Sequence, residues 1–383
     1  MSTLRALVTD AHVVVCCGTG GVGKTTSAAA LALEGARAGR RVAVITIDPA
    51  RRLADTLGLG GSADAEVPRD RWDPDGDAAP GGRLTALMLD PAATFDGLVE
   101  RYSADDEQRD RILENRFYRS IAGALSGTQE YMAMERLHEL HESGAFDLIV
   151  VDTPPSRHAL DFLDAPARLI RLLDNRVFRV MMLPARRGFR VASGALQLFV
   201  RQVGRVIGTA VIDDIIAFFR AFEGMEQGFR DRADAVRTLL AAPDTTFVLV
   251  TSPRRDSIDE AVFFADRIAD HGLRVDALVA NRVHPDFAPG ADVERLRGLA
   301  TAVRDAGAAE PGPDADAAAR RTADRLATLA DLAEVAARER EALDRVAERT
   351  RAPGVVVVPL LARDVHDLDA LRAVGQVLTG PAN

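Results

Sequence analysis

Val13-Val14-Val15-Cys16-Cys17-Gly18-Thr19-Gly20-Gly21-Val22-Gly23-Lys24-Thr25-Thr26 is the stretch that decides the fold. Its opening run is apolar without alternation, which predicts a strand covered on both faces. Gly18 to Thr25 then satisfies G-x-x-x-x-G-K-[ST], and Thr26 to Ala38, rich in alanine and leucine, predicts the helix that must follow such a loop. In that order the glycines let backbone N–H groups turn inward around phosphate oxygens, and the helix N-terminus adds its positive dipole end. Gly20, Gly21, Val22, Gly23 and Thr26 are therefore predicted to line the phosphates of ATP. Lys24 is predicted to lie between the β- and γ-phosphates as a compact catalytic charge, and the Thr25 hydroxyl to ligate Mg²⁺. Lys24 is also the only lysine in the chain; every other strongly basic side chain is arginine. A sequence so biased keeps a lysine where arginine does not serve.

Further along, Phe146-Asp147-Leu148-Ile149-Val150-Val151-Asp152 is an apolar strand ending in a carboxylate, the pattern that anchors Mg²⁺ through water. The glycine loop also spells G-x-G-x-x-G, and Asp48 closes the second strand, where a dinucleotide fold places its ribose-binding acid. An NAD-dependent oxidoreductase is thus the rival reading. The Lys24-Thr25 continuation, for which a dinucleotide turn has no need, and the strand ending at Asp152 favour ATP. Asp48 then becomes a candidate catalytic residue that orients the attacking water; its alternative is a turn or helix cap before Pro49.

The chain has 383 residues, 47% hydrophobic and 27% charged, enough for a full core without disulfide or metal staples. A net charge of −9 argues against a general nucleic-acid binder. The N-terminal apolar run is too short for a signal peptide or a membrane span, so a cytoplasmic protein is expected, at most peripheral to the inner membrane face. Cys16 and Cys17 are adjacent on a strand and point to opposite faces, which disfavours a disulfide or a chelate.

Short β-branched runs alternating with helical stretches predict an α/β fold, a mostly parallel sheet of seven or eight strands. The expected strands are His12–Cys17, Arg41–Ile47, Leu84–Leu89, Phe146–Val151, Thr246–Thr251, Val275–Ala280 and Gly354–Pro359. Gly58 to Gly82, rich in Gly, Pro and Asp, reads as a long mobile loop. A break at Gly307–Asp316 precedes a charged helix running to about Arg349. Residues 1–90, 144–160 and 241–383 are assigned to the nucleotide-binding domain, and 91–143 and 161–240 to an inserted helical subdomain. The second helical block is rich in bulky apolar residues, among them Met181, Met182, Phe199, Phe218, Phe219, Phe222, Met225 and Phe229. It reads equally as core or dimer contact, or as a groove for an apolar helix. His138-Glu139-Leu140-His141-Glu142 falls one residue short of a zinc-protease helix and is expected to be an exposed helical face. Arg186, Arg187 and Arg190 form a basic patch, read first as a solvated helix end.

These motifs together resemble the ArsA-type anion-transporting ATPases and the related ATPases that deliver tail-anchored membrane proteins, which group with the ParA and MinD ATPases. The resemblance spans nearly the whole chain. Gly18–Thr26 resembles the family's P-loop, Thr46–Asp55 its switch I, and Asp152–Leu160 its switch II. Val279-Ala280-Asn281-Arg282 is similar to the adenine-binding asparagine segment and Val358-Pro359-Leu360-Leu361 to the adenine-flanking loop. The resemblance implies that Asp48 activates water, that Thr25 and Asp152 serve Mg²⁺ and that Asn281 reads the adenine edge beside Pro359. It also implies a dimer that closes over ATP, with the helical subdomain binding a membrane-protein client.

Two positions depart from the family pattern. Thr19 stands where the family carries a signature lysine that reaches the partner's phosphates, and Arg157 replaces a switch II glycine. The pattern resembles the lysine-less member of paired actinobacterial proteins, which implies a heterodimer with a lysine-bearing paralogue as an alternative to a homodimer. A weakly hydrolysing regulatory subunit is the competing expectation. Arsenite transport is not supported, since a soft metalloid wants several convergent thiolates, and without a C-x-x-C clamp no zinc is expected.

Overall fold

The computed structural model describes residues 3–46, 52–59, 64–116, 118–119, 128–154, 163–164, 171, 214, 217–218, 221, 224–309 and 313–380. Asp48, Arg157, the basic patch at Arg186, Arg187 and Arg190, and most of the apolar block lie outside the described residues.

The chain opens with α1 (Thr3–Asp10), β1 (Val13–Gly18), α2 (Lys24–Arg37) and β2 (Arg41–Thr46). There follow α3 (Arg52–Leu57), β3 (Asp64–Glu66), α4 (Arg69–Trp72) and β4 (Arg83–Met88). Helices α5 (Pro91–Tyr102), α6 (Asp106–Leu113) and α7 (Thr128–Glu142) separate β4 from β5 (Leu148–Asp152). Then come α8 (Glu226–Leu240), β6 (Thr245–Thr251), α9 (Arg255–Asp270) and β7 (Ala277–Val283). The chain finishes with α10 (Val293–Ala309), α11 (Pro313–Thr350), β8 (Val355–Pro359) and α12 (Leu368–Thr379).

The strands form one eight-stranded sheet in the order β3-β4-β2-β5-β1-β6-β7-β8. Among the described strands only the β3–β4 pairing is antiparallel. Every residue of β1, β5 and β6 is buried, as unalternating apolar strands require when helices cover both faces. The two cores divide along the side-chain period of two. Val14 and Cys16 pack with Leu31 of α2 and Leu371 of α12 on one face. Val13, Val15 and Cys17 pack with Leu137 of α7 and Phe264 of α9 on the other. The adjacent cysteines thus belong to different cores, as their spacing predicts.

Within Gly58–Gly82, the described residues from Asp64 on are not the mobile loop that their composition predicts. Asp64–Glu66 adds an antiparallel edge strand to β4. Trp72 is buried, its Nε1 donating to the Val67 carbonyl at 3.1 Å, and the Arg69 guanidinium lies 5.2 Å from its ring centroid. Asp64-Ala65-Glu66 has no intrinsic strand preference; the neighbouring β4 imposes it.

The His138–Glu142 stretch also differs from expectation. His138 is 6% exposed, Leu137 and Leu140 are buried, and the His141 ring meets that of His12 edge-on at 4.7 Å. Met134, Leu137, Leu140 and His141 share one side of α7, which packs on the sheet and brings His141 to His12, while His138 lies near Arg232 of α8.

A third cluster, apart from the sheet, joins Leu98, Val99, Ile112, Tyr118, Tyr131 and Met132 to Phe218, Met225 and Phe229. Those last three members of the apolar block are therefore core; Phe219 and Phe222 lie outside the described residues. A buried Arg232–Glu135 ion pair at 2.5 Å ties α8 to α7. Helices α10 and α11 form a hairpin close enough that a Cβ on Gly307 would sit 2.0 Å from the Ala319 Cβ. Among the described residues no helix is long and apolar enough to cross a membrane.

Candidate active site

β1 ends at Gly18, whose φ of 145° and whose approach to β6 both demand glycine: an added Cβ would lie 2.1 Å from the Val250 carbonyl oxygen. The loop then closes at Gly23, left-handed at φ 97°, where α2 begins. With glycine at this position no side chain caps the first turn, so its N–H groups remain for an anion.

Lys24 is 5% exposed and its Nζ donates to the Thr19 carbonyl at 2.7 Å, folding the ammonium back under its own loop. Strand register supplies the carboxylate. In the parallel ladder Asp152 lies opposite Cys16 on β1 and Thr46 on β2, so it emerges beside the loop at the C-terminal edge of the sheet. Its Oδ2 accepts from the Thr25 hydroxyl at 2.8 Å and from the Thr46 hydroxyl at 3.1 Å. Thr153 donates to the Cys16 carbonyl at 2.8 Å, tying the end of β5 to β1. Burial, with the Asp152 carboxylate second, pushes the Cys16 thiol well up, and burial pushes Cys17 up to about 12. Both cysteines are thus held as protonated core residues, unsuited to binding a soft metalloid.

A cavity of about 350 Å³ opens over this arrangement, lined by Gly21, Gly23, Lys24, Thr25, Thr26, Thr153 and Arg282, with Asp55 and His366 also on its wall. It shares Gly23, Thr26 and Arg282 with a second cavity of about 270 Å³, lined further by Asn281, Pro359 and Leu360. The predicted phosphate residues and the predicted pair at the strand ends, Asn281 and Pro359, therefore border one continuous trough. Asn281 has a second engagement: its Nδ2 donates to the Val22 carbonyl at 2.8 Å, and its Oδ1 accepts from the Arg282 amide at 2.9 Å. It braces the phosphate loop from β7. A third cavity, about 480 Å³, lies against Thr19, Gly20 and Val22 and is closed by Glu260, His284 and Glu339. His284 pairs with Glu339 at 2.7 Å. A fourth, between α5 and α7, contains none of the predicted site residues.

The sequence reading missed Thr46, Thr153, Arg282 and His366. The two threonines adjoin motif residues, but only the register of the parallel strands brings them onto Asp152 and Cys16. Arg282 closes the segment quoted for Asn281, but nothing in that pattern gives it a role of its own, and nothing marks His366.

A protein-family model described as anion-transporting ATPase matches residues 11–298, from the start of β1 into α10. The chain is 27% identical over 286 residues to the ATPase GET3 of Malassezia globosa, covering 74% of this chain and 76% of that protein. It is 32% identical over 276 residues to an uncharacterised protein of Streptomyces coelicolor, covering 71% and 62% respectively. A Mycobacterium tuberculosis protein matches at 32% over 287 residues, 72% of this chain and 59% of its own length. The match thus spans less than two thirds of each of these two bacterial relatives.

Proposed function

Since this chain belongs to the anion-transporting ATPase family and is with it an ATP hydrolase, we propose that ATP binding and hydrolysis in its trough switch a dimer between states that hold and release an apolar or membrane-protein client. The observation that carries the nucleotide part is the 2.8 Å contact between Thr25 Oγ1 and Asp152 Oδ2 beside the Lys24 loop. These are hard oxygen donors from different elements, one of them a buried carboxylate, and they suit Mg²⁺. Thr25 would hold the ion directly and Asp152 through water; bound there, magnesium offsets phosphate charge. Lys24 orients and neutralises the phosphates, and the N-terminus of α2 with the loop amides cradles them. Asp48, two residues past Thr46 in sequence, is assigned by the resemblance to orient the attacking water. Asn281 and Pro359 would border the adenine.

Calorimetric titration with and without magnesium tests this reading. Tight ATP binding that requires magnesium in the natural chain, and loses that requirement in Asp152→Asn, is the expected result. Asp48→Asn should keep nucleotide affinity and lose most turnover in a single-turnover assay. Magnesium-independent binding by the natural chain would remove the metal role, and normal turnover by Asp48→Asn would return Asp48 to a structural cap.

Thr19 favours a second reading. A P-loop without its leading lysine suits a subunit that holds nucleotide and depends on a lysine-bearing relative for hydrolysis.

A further inference from the structure

The residue that touches most of the site without an assigned role is Arg282. Near the end of β7 the ladder loses register: Asn281 pairs with Val358 and Val283 with Pro359, leaving Arg282 with no partner on β8. Such a bulge re-aims a side chain, and bulges recur beside active sites. Arg282 takes up a left-handed φ of 62°, which among the described non-glycine residues only Arg351 shares. Its own neighbour holds it there, the Asn281 Oδ1 accepting from its amide. A strained backbone kept by surrounding contacts commonly serves a side chain's placement.

The placement is specific. Arg282 borders all three cavities around the phosphate loop, and its Nη1 donates to the Gly21 carbonyl at 3.0 Å. Many arginines of this chain that the structure describes pair with carboxylates, as Arg41 does with Asp147 and Arg297 with Glu334. Arg282 forms no ion pair among the described residues; its side-chain partner is a neutral carbonyl. A guanidinium carries five N–H donors, so the bond to Gly21 leaves the rest of the fork for an anion in the trough. Its planar geometry matches phosphate oxygens two at a time, which an ammonium does not.

Resting on the nucleotide reading above, we propose that Arg282 is a second cationic contact to the phosphate chain, supplied within the same subunit from outside the P-loop. Lys24 meets the phosphates from beneath the loop, and Arg282 meets them from the β7 side while fixing the loop through Gly21. The alternative is a strut that only braces Gly21, and the two differ in whether the charge matters.

The test compares ATP, ADP and adenosine binding to the full chain by calorimetry, in the natural protein and in Arg282→Gln, Arg282→Lys and Arg282→Gly. Glutamine keeps a donor for the Gly21 carbonyl and removes the charge; glycine relaxes the left-handed backbone and also removes the charge. Charged hydrogen bonds of this kind predict a tenfold to hundredfold loss of ATP affinity, about equal in the glutamine and glycine variants. Adenosine binding should be unchanged, lysine should recover part of the loss, and the salt dependence of ATP binding should flatten in Arg282→Gln. ATP affinity in Arg282→Gln equal to that of the natural chain would overturn the proposal, as would an equal loss for adenosine, which marks a strut. If the natural chain itself bound no ATP, the nucleotide reading would fall and this one with it.

Discussion

Lys24 shows what a single residue can carry. Its ammonium lies 2.7 Å from the Thr19 carbonyl and is almost wholly enclosed by the loop it belongs to. A guanidinium is wider and planar and needs room for a fork, so the loop that holds Lys24 does not fit it. Lys24→Ala and Lys24→Arg should therefore both weaken Mg-ATP binding by about a hundredfold or more, alanine by loss of charge and arginine by displacement of the loop. Calorimetry checks this, and near-natural affinity in Lys24→Arg would mean that the chain's one lysine is not there for its shape. Lys24, Thr25 and Asp152 were legible in the sequence because their spacing within a loop or at a strand end is fixed by local geometry. Thr46, Thr153 and Arg282 were not. The first two come to the site through the pairing of β2, β5 and β1, and Arg282 through a bulge between β7 and β8. Register is a property of distant residues, and a single sequence does not display it.

At the scale of elements the parallel strands were legible and the small antiparallel edge was not. Long apolar runs declare themselves, whereas Asp64–Glu66 becomes a strand only because β4 offers it a partner. Its position is fixed by the segment C-terminal to it, above all by the buried Trp72 and its bond to Val67. Trp72→Ala should cost about 3–5 kcal/mol of stability, the range for emptying an aromatic site, measured by denaturant unfolding. A loss below about 1 kcal/mol would restore the mobile-loop reading. The histidines of α7 and His12, just before β1, give this region a pH dependence. Burial lowers His138, with the charge of Arg232 next, and burial lowers His12, with His141 next. Carboxylates also face them and pull the other way, Glu142 at His138 and Asp244 and Asp147 at His12. Both folded values thus lie below the unfolded one, so the unfolded chain takes up protons first as pH falls. Stability is fully present above about pH 6.5 and declines as pH drops through the lowered folded values. The melting temperature should fall between pH 7.5 and 5.5, and His12→Gln combined with His138→Gln should flatten that slope. An unchanged slope would move the effect to other groups.

For the whole molecule, the question is whether one chain suffices. A transferring phosphoryl group carries negative charge that positioned cations must meet, and a cation supplied in trans can dominate the rate. Resemblance assigns that trans role to the residue at position 19, and here it is a threonine. Its hydroxyl has no charge and its reach is much shorter than a lysine's, while its carbonyl is already engaged by Lys24. The cavity beyond it is large, about 480 Å³, and carries its own charges, Arg254, Asp256 and Glu260 among them. The expected outcome is weak steady-state ATP hydrolysis by the isolated chain and a sharp rise on adding a lysine-bearing relative from the same cells. Mutating the relative's signature lysine should erase the gain if that lysine is the one that completes this subunit's site. Thr19→Lys in this chain should leave the chain's own nucleotide affinity nearly unchanged and raise turnover only if two copies associate, so sedimentation must accompany the assay. In-chain arginine is the competing source of charge, with Arg157, in the segment that resembles switch II, the nearest candidate by sequence. Loss of turnover in Arg157→Ala without any partner present would assign the charge to it. Full turnover by the chain alone, indifferent to both Arg157→Ala and the added relative, would overturn the paired arrangement altogether.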